Sequence, residues 1–245
     1  MEISPRTFNL RGDDWGKEFE RLNGFYKTRL KTLLRNPKVS VVIAMDVPFG
    51  WPRSFVKAIS KHSTQKGKSY GWGSREGRNR FRFRETDTFV KHSVFDAVKD
   101  LSIQGPLPVS TDRLGVTAMA GAEIIHLLTS KWGFKVASPF RLESKSVKQT
   151  RTIIEVYPKA TVTSQLGANA FRFGRPDYSA WKEHYKHLFL DPKSISFWTP
   201  DEWDAWVCAL TAREYTLGNC SPARSRNKKW RKLIESEGWI WVPEA

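Results

Sequence analysis

Cysteine is scarce in this chain of 245 residues, which contains only Cys208 and Cys220. Two thiols build neither a disulfide framework nor a four-cysteine zinc site, so we interpret both as reduced residues without a chemical role. No hydrophobic run approaches the roughly 18 residues of a membrane helix, and the N-terminus lacks the layout of a secretory signal. These absences exclude a disulfide-rich secreted class and predict a cytoplasmic protein with no membrane segment.

Acidic residues are also few, because 25 Asp and Glu stand against 41 Lys and Arg, giving a formal net charge of +16. The excess is concentrated in two segments. Residues 53–84 contain ten basic residues and one acid, residues 224–232 contain six basic residues and no acid, and together they contribute +15. This distribution indicates a polyanionic partner, and we favour nucleic acid, DNA or RNA, over an anionic membrane surface.

Aromatic residues interleave with the basic ones in the first segment, where Trp72 could stack on a base while arginines hold phosphates. A solvated basic loop is the alternative interpretation of the same pattern. The residues predicted to bind nucleic acid are Lys66, Lys68, Trp72, Arg75, Arg78, Arg80, Arg82, Arg84, Arg224, Arg226, Lys228 and Lys229.

Hydrophobic patterning predicts strands that alternate with helices. Residues 39–45 and 150–157 are short β-branched runs followed by prolines, which is typical of strands buried on both faces of a parallel sheet. Helices are predicted at 13–35, 54–62, 113–131, 160–166, 178–190 and 199–217, with an extended entry and a helix at 81–100. A basic, glycine-containing loop is predicted at 63–80, and residues 1–38 form an atypical N-terminal helical segment. The alternation indicates one α/β domain over 1–245, with a central mixed or parallel sheet flanked by helices.

Two acids lie at the ends of the predicted strands. Asp46 follows the first strand, and Glu155 lies near the end of the second among Ile and Val residues. Ligands of open α/β sheets bind beyond the carboxyl ends of the strands, so both acids are expected at the functional edge. A carboxylate buried in such a strand needs a partner, so a salt bridge from Glu155 to an internal arginine fits the sequence equally well.

A third acid, Asp204, belongs to a helix that Thr199 and Glu202 begin with a capping box. The apolar stripe of this helix leaves Asp204 and Asp201 on a flanking face, and the helix dipole alone explains Asp201. Carboxylates from two strands and one helix could bind one or two Mg²⁺ or Mn²⁺ ions, the oxygen-ligand site used for phosphodiester cleavage.

Six short motifs follow one another along the chain. They are IAMDVPFG at 43–50, RETD at 84–87, STDRLGVT at 110–117, IEVYP at 154–158, DAWVCALTA at 204–212 and EGWI at 237–240. Over about residues 39–243 this series resembles domain-of-unknown-function family 429. The resemblance implies a ribonuclease H-like fold, nuclease activity and acidic catalytic and metal-binding positions at Asp46, Glu155 and Asp204. Candidate accessory residues are Asp87, Asp201 and Arg113.

One departure from that family concerns the N-terminal region. Members usually open with a strand bearing a glycine-flanked aspartate, the central metal ligand of ribonuclease H-like enzymes, and nothing before Asp13 matches it. This absence indicates a truncated chain, a diverged enzyme with another acid in its place, or a protein that binds without cutting. Three functions stay open: a metal-dependent nuclease, a nucleic-acid-binding or assembly protein that does not cut, and a small-molecule enzyme using the same acids. Without that strand, residues 39–45 would expose an apolar edge, which predicts cover by residues 1–12, a protein partner or a second copy.

Overall fold

The computed structural model describes residues 32, 35, 36, 39–62, 75–98, 105–109, 112–140, 150–172, 175–188, 199–224 and 227–244. Its helices are α1 (Arg53–His62), α2 (Arg75–Arg82), α3 (Glu85–Val90), α4 (Asp96–Val98), α5 (Asp112–Trp132), α6 (Pro158–Leu166), α7 (Tyr178–Tyr185), α8 (Pro200–Leu217) and α9 (Lys228–Glu237). A π-helical stretch (Lys91–Phe95) joins α3 to α4, and 3₁₀ turns follow α6 (Gly167–Ala170) and α7 (Lys186–Leu188). The strands are β1 (Val41–Met45), β2 (Lys135–Val136), β3 (Arg151–Glu155), β4 (Phe171–Arg172) and β5 (Arg175–Pro176).

The main sheet has three parallel strands in the order β1-β3-β2, with Met45 in register with Glu155. Near the C-terminus, Ile240 forms an isolated parallel bridge with Glu155, and residues 239–242 are buried. Strands β4 and β5 form a separate antiparallel pair. The prediction of an α/β fold with a parallel sheet flanked by helices is confirmed.

Both faces of the main sheet are covered by helices, because side chains alternate along each strand. The face toward α5 forms a cluster that contains Ile43, Met45, Leu128, Phe134 and Ile153. The opposite face packs on α8 and the C-terminal segment, in a cluster that contains Val42, Ala44, Ile154, Cys208, Ala212, Tyr215 and Trp241. This arrangement explains the apolar residues of β1 and the apolar Ile153 and Ile154 of β3, and it places Asp46 and Glu155 where the two strands end.

Several local predictions need correction. The extended entry at 81–100 is wrong, because α2 continues through Arg82 and α3 begins at Glu85. The loop predicted at 63–80 is wrong over 75–80, which belong to α2, whereas 63–74 lie outside the described residues. Helix α9 has no counterpart among the predicted elements. The helix predicted at 13–35 lies outside the described part of the chain except for Thr32 and Arg35, which are helical.

Strand β1 occupies one edge of the sheet within the described residues, and its five residues are half-buried. Residues 1–12 lie outside the described part of the chain, so cover of this edge by them or by a partner stays a prediction. No helix in the described ranges is both long and apolar enough to cross a membrane.

Candidate functional site

The polar edge of the sheet begins with Asp46, the first residue after β1, which is exposed at the start of a bend. Helix α8 packs against β1 and brings Asp204, which lies in its second turn and is half-buried, to the same end of the sheet. The start of α8 is fixed by a capping box: the Thr199 hydroxyl accepts from the Glu202 backbone N–H at 3.3 Å, and Glu202 Oε2 accepts from the Thr199 N–H at 2.7 Å. The predicted cap therefore sets the position of Asp204.

Asp46 and Asp204 form a pair of neighbouring acids. Burial among protein atoms raises the pKa of Asp46 from 3.8 to about 7, and the charges of Asp204 and Glu155 add to this effect. Burial also raises the pKa of Asp204 to about 6, with a further contribution from Asp201. Asp46 as a residue is nevertheless exposed, so water reaches part of it. The effect of Asp204 on Asp46 indicates that the two carboxylates lie close enough to repel each other.

No cation pairs with Asp46 or Asp204 within the part of the chain that the structure describes. The negative charges of Asp46 and Asp204 also affect the pKa values of two neighbouring groups, Cys208 and Tyr157. Burial, with Asp46 and Asp204 adding to it, raises the pKa of the Cys208 thiol well above its ordinary value and likewise raises that of the Tyr157 phenol. Cys208 therefore stays a protonated thiol and is not activated as a nucleophile. Tyr157, which the site prediction missed although it belongs to the IEVYP motif, stays a hydrogen-bond donor.

Glu155, in contrast, is engaged by an arginine. Arg84 Nη2 lies 2.6 Å from Glu155 Oε1, and Arg84 Nη1 lies 3.0 Å from Oε2. The same guanidinium donates to Asp87, with Nη2 2.8 Å from Oδ1 and Nε 3.2 Å from Oδ2. All three residues are buried, with 2% of each exposed. Burial works against the charge on Arg84, but the two carboxylates outweigh it and raise the pKa of the guanidinium above its ordinary value.

Burial raises the pKa of Glu155 from its ordinary value, and Arg84 works in the opposite direction. Glu155 Oε2 also accepts from the Phe49 backbone N–H at 3.1 Å, which fixes the loop three residues beyond Asp46. The structure thus supports the salt-bridge alternative for Glu155: it holds the loop that bears Asp46, rather than offering free oxygens to a metal ion.

Two assignments change for the same physical reason. Arg84 does not belong to the nucleic-acid surface, because it is buried and its guanidinium is occupied by Glu155 and Asp87. Both carboxylate oxygens of Asp87 likewise accept hydrogen bonds from Arg84, so Asp87 is not available as an accessory ligand. Asp201 is exposed in the first turn of α8, and Arg113 lies in α5 with a side chain outside what the structure describes.

The described residues contain no group of three or more His, Cys, Asp or Glu side chains that could hold a metal ion. Asp46 and Asp204 nevertheless fit a smaller donor set, because two carboxylates that repel each other are relieved by a divalent cation. Mg²⁺ is commonly bound through one or two carboxylates, with water and substrate phosphates as further ligands. Binding of Mg²⁺ or Mn²⁺ at this pair stays a prediction.

The profile of the family described as "Protein of unknown function (DUF429)" matches residues 14–227. The chain belongs to this family. The match begins earlier than the motif series that predicted it, and it includes most of the segment before β1. No curated protein and no solved structure matches the chain. The description of DUF429 names no activity, so the geometry of the site must support any function proposed for this member.

The two basic segments of this DUF429 protein include the helices α1, α2 and α9. Arg80 and Arg82 on α2, Arg224 before α9, and Lys228 and Lys229 on α9 are exposed, as nucleic-acid contacts require. Arg75 and Arg78 belong to α2, but their side chains are outside the description. Lys66, Lys68, Trp72 and Arg226 lie outside the described residues.

Structure adds exposed cations that the site prediction did not include. They are Arg53, Lys57 and Lys61 on α1, and Arg231 and Lys232 on α9. Helix α1 contacts both α2 and α9, so the two basic segments of the sequence lie on neighbouring helices. We call the exposed basic residues of α1, α2 and α9 the basic surface.

Proposed function

We propose that this protein acts on nucleic acid as a divalent-metal-dependent phosphodiesterase of ribonuclease H-like type, with Asp46 and Asp204 at its reaction centre. The main support is the acid pair at the carboxyl end of a parallel sheet, which no cation of the described residues neutralises and whose pKa values are raised to about 7 and about 6. Carboxylates with strongly raised pKa values are unusual outside functional sites, because a buried acid is usually paired with a cation. A nucleic-acid substrate also fits the predicted cytoplasmic location.

In this proposal Asp46 and Asp204 would hold Mg²⁺ or Mn²⁺. The bound ion supplies activation of water and stabilisation of the leaving oxygen. Glu155 positions the loop of Asp46 through the Phe49 N–H, and Arg84 holds Glu155 in place. Tyr157 keeps its proton at neutral pH and offers a hydrogen-bond donor close to the acid pair.

The basic surface supplies affinity. Its exposed lysines and arginines neutralise phosphates irrespective of base sequence, and the release of counterions makes such binding strongly dependent on salt. Phosphate contacts of this kind position the strand without specifying its sequence. The proposal therefore predicts binding with little sequence preference.

A second candidate is a nucleic-acid-binding or assembly protein that does not cut. The observation in its favour is the Arg84–Glu155 ion pair, which leaves two free carboxylates where the family resemblance implies three. Both candidates use the same basic surface, so binding alone does not separate them.

Cleavage assays separate the two candidates. Labelled single- and double-stranded DNA and RNA are incubated with Mg²⁺, Mn²⁺ or EDTA, using the wild type, Asp46→Asn, Asp204→Asn and the control Glu123→Gln, an exposed acid on α5. We expect metal-dependent cleavage that each Asn variant lowers at least about 100-fold, because the metal stabilises the transition state by several kcal/mol. Glu123→Gln should cleave like the wild type. Binding without cleavage of any substrate would favour the second candidate, and cleavage that persists in both Asn variants would refute the assigned centre.

A further inference from the structure

Glu237, the last residue of α9, connects three helices through one carboxylate. Its Oε1 accepts from the backbone N–H of Arg53 at 2.7 Å, and its Oε2 accepts from the N–H of Glu85 at 2.9 Å. Arg53 and Glu85 are the first residues of α1 and α3, where backbone N–H groups have no partner within the helix. One side chain at the end of α9 thus accepts hydrogen bonds from the first backbone N–H groups of two other helices. We call this contact the Glu237 junction.

The Glu237 junction is buried inside the protein. The residue is 4% exposed, and its backbone carbonyl accepts from Arg84 Nη1 at 3.0 Å. The loop after β1 approaches so closely that a Cβ on Gly50 would lie 2.8 Å from the Ser236 carbonyl oxygen. A residue other than glycine at position 50 would therefore separate the loop from α9.

The Glu237 junction affects the basic surface, because it holds together two helices whose positive charges repel each other. Helix α1 exposes Arg53, Lys57 and Lys61, and α9 exposes Lys228, Lys229, Arg231 and Lys232. Like charges on neighbouring helices disfavour their approach, so a specific attachment is needed to hold them together. Within the described residues, the Glu237 carboxylate makes that attachment directly, from the end of one basic helix to the beginning of the other.

We propose that Glu237 assembles the basic surface: by holding the start of α1 against the end of α9, it places both basic segments where one nucleic-acid strand contacts them together. This inference rests on the nucleic-acid binding of the proposed function and adds a positioning residue to it. The EGWI motif of the sequence thereby acquires a role, since its first residue is this carboxylate.

Simple electrostatics and this inference predict opposite results for substitution of Glu237. Removing an acid from a basic protein should strengthen its binding to a polyanion. If Glu237 assembles the surface, its loss separates α1 from α9, and a strand then contacts fewer cations at once. Binding should weaken, and the dependence on salt should become shallower, although every lysine and arginine is still present.

The experiment measures the affinity of a fluorescein-labelled single-stranded DNA of about 20 nucleotides over a series of salt concentrations. Two variants are compared with the wild type: Glu237→Gln keeps the size but removes the charge, and Glu237→Asp keeps the charge but shortens the reach. Glu235→Gln and Glu235→Asp are matched controls, because Glu235 is an exposed acid two residues away on the same helix. We expect both Glu237 variants to bind about fivefold more weakly or worse and to lower the salt slope by about one, whereas the Glu235 variants keep the slope.

Distances between spin labels at Lys57→Cys and Lys232→Cys, where both native positions are exposed, report the spacing of α1 and α9 without nucleic acid. The distribution of these distances should broaden in Glu237→Gln and not in Glu235→Gln. Circular dichroism shows whether each variant is folded. If the Glu237 variants bind as tightly as the Glu235 controls with an unchanged slope and spacing, the inference is wrong while the proposed function stands. If the wild type binds no nucleic acid, both are wrong.

Discussion

Two groups of carboxylates lie at the same end of the sheet and have opposite electrostatic situations. Glu155 and Asp87 surround Arg84, and every strong donor of that guanidinium is directed at an acid or a carbonyl. Asp46 and Asp204 have no cation paired with them among the described residues, and their pKa values are raised. The first group has its counter-charge in Arg84, whereas the second group has none among the described residues.

The difference assigns different roles to residues of the same type. A buried charge with its partner fixes the backbone, and Glu155 does so by accepting the Phe49 N–H in the loop after Asp46. An acid pair without a partner is costly for folding and is kept where it binds or transfers a charge. The comparison therefore predicts opposite effects on stability when the two groups are neutralised.

The largest effect is expected for Arg84→Met, which leaves Glu155 and Asp87 buried without a counter-charge. Breaking a buried ion pair from one side typically costs about 3 to 5 kcal/mol, so the unfolding free energy should fall by that amount. Urea unfolding followed by circular dichroism measures the change. Arg82→Met, two residues earlier and exposed, should change stability by no more than about 0.5 kcal/mol. Equal effects at both positions would mean that the ion-paired group does not stabilise the fold.

A smaller loss is expected for Gly238→Ala, which crowds the ion-paired group without removing any charge. Gly238 has a φ of +88°, and a Cβ there would lie 2.7 Å from Glu155 Oε2. The backbone strain and the displaced carboxylate together should cost about 2 to 3 kcal/mol. Gly167→Ala is the control, because Gly167 also has a positive φ, +59°, outside the left-handed helical region, with no atom within 4 Å of the added Cβ. It should lose about 1 kcal/mol in urea unfolding from backbone strain alone, and an equal loss at both glycines would show that crowding of Glu155 costs nothing.

The sequence was sufficient to predict the sheet and the edge where the acids lie. The apolar runs of β1 and β3 are unmistakable, and Asp46 and Glu155 interrupt them at the end where parallel strands place their ligands. The sequence could not show that Glu155 is ion-paired and Asp46 is not, because this difference depends on Arg84, which lies 71 positions away from Glu155 along the chain. In the sequence, Arg84 is one more residue of a basic segment, and only the fold shows that it is buried.

The helix α9 was missed for a related reason. Lysine and arginine dominate its first half and hide the apolar positions of a helix, of which Ile234 is fully buried and Trp230 is half-buried. The role of Glu237 was equally hidden, because it depends on the starts of α1 and α3, which are distant in sequence. Contacts of this kind follow from the assembled fold and have no local pattern.

The smallest effect, of opposite sign, is expected for Asp46→Asn. The folded-state pKa of about 7 lies above the ordinary value of 3.8, so the native protein binds more protons than the unfolded chain between these pH values. Stability contributed by the protonated carboxyl group is therefore lost as the pH rises through this window. Asparagine removes the titration, so above pH 7 the variant should be more stable than the wild type, by about 1 kcal/mol after allowance for the exposure of this residue.

Urea unfolding across that pH range should show a flatter dependence for Asp46→Asn, while Glu123→Gln, which removes an exposed acid on α5, should follow the wild type. Added Mn²⁺ should stabilise the wild type above pH 7 and have less effect on Asp46→Asn, because a ligand that binds only the folded state shifts unfolding by mass action. If Asp46→Asn lowers stability in this range instead, Asp46 has a cationic partner in the native protein. The contrast between the two groups of carboxylates would then disappear, because both would be neutralised from within the fold.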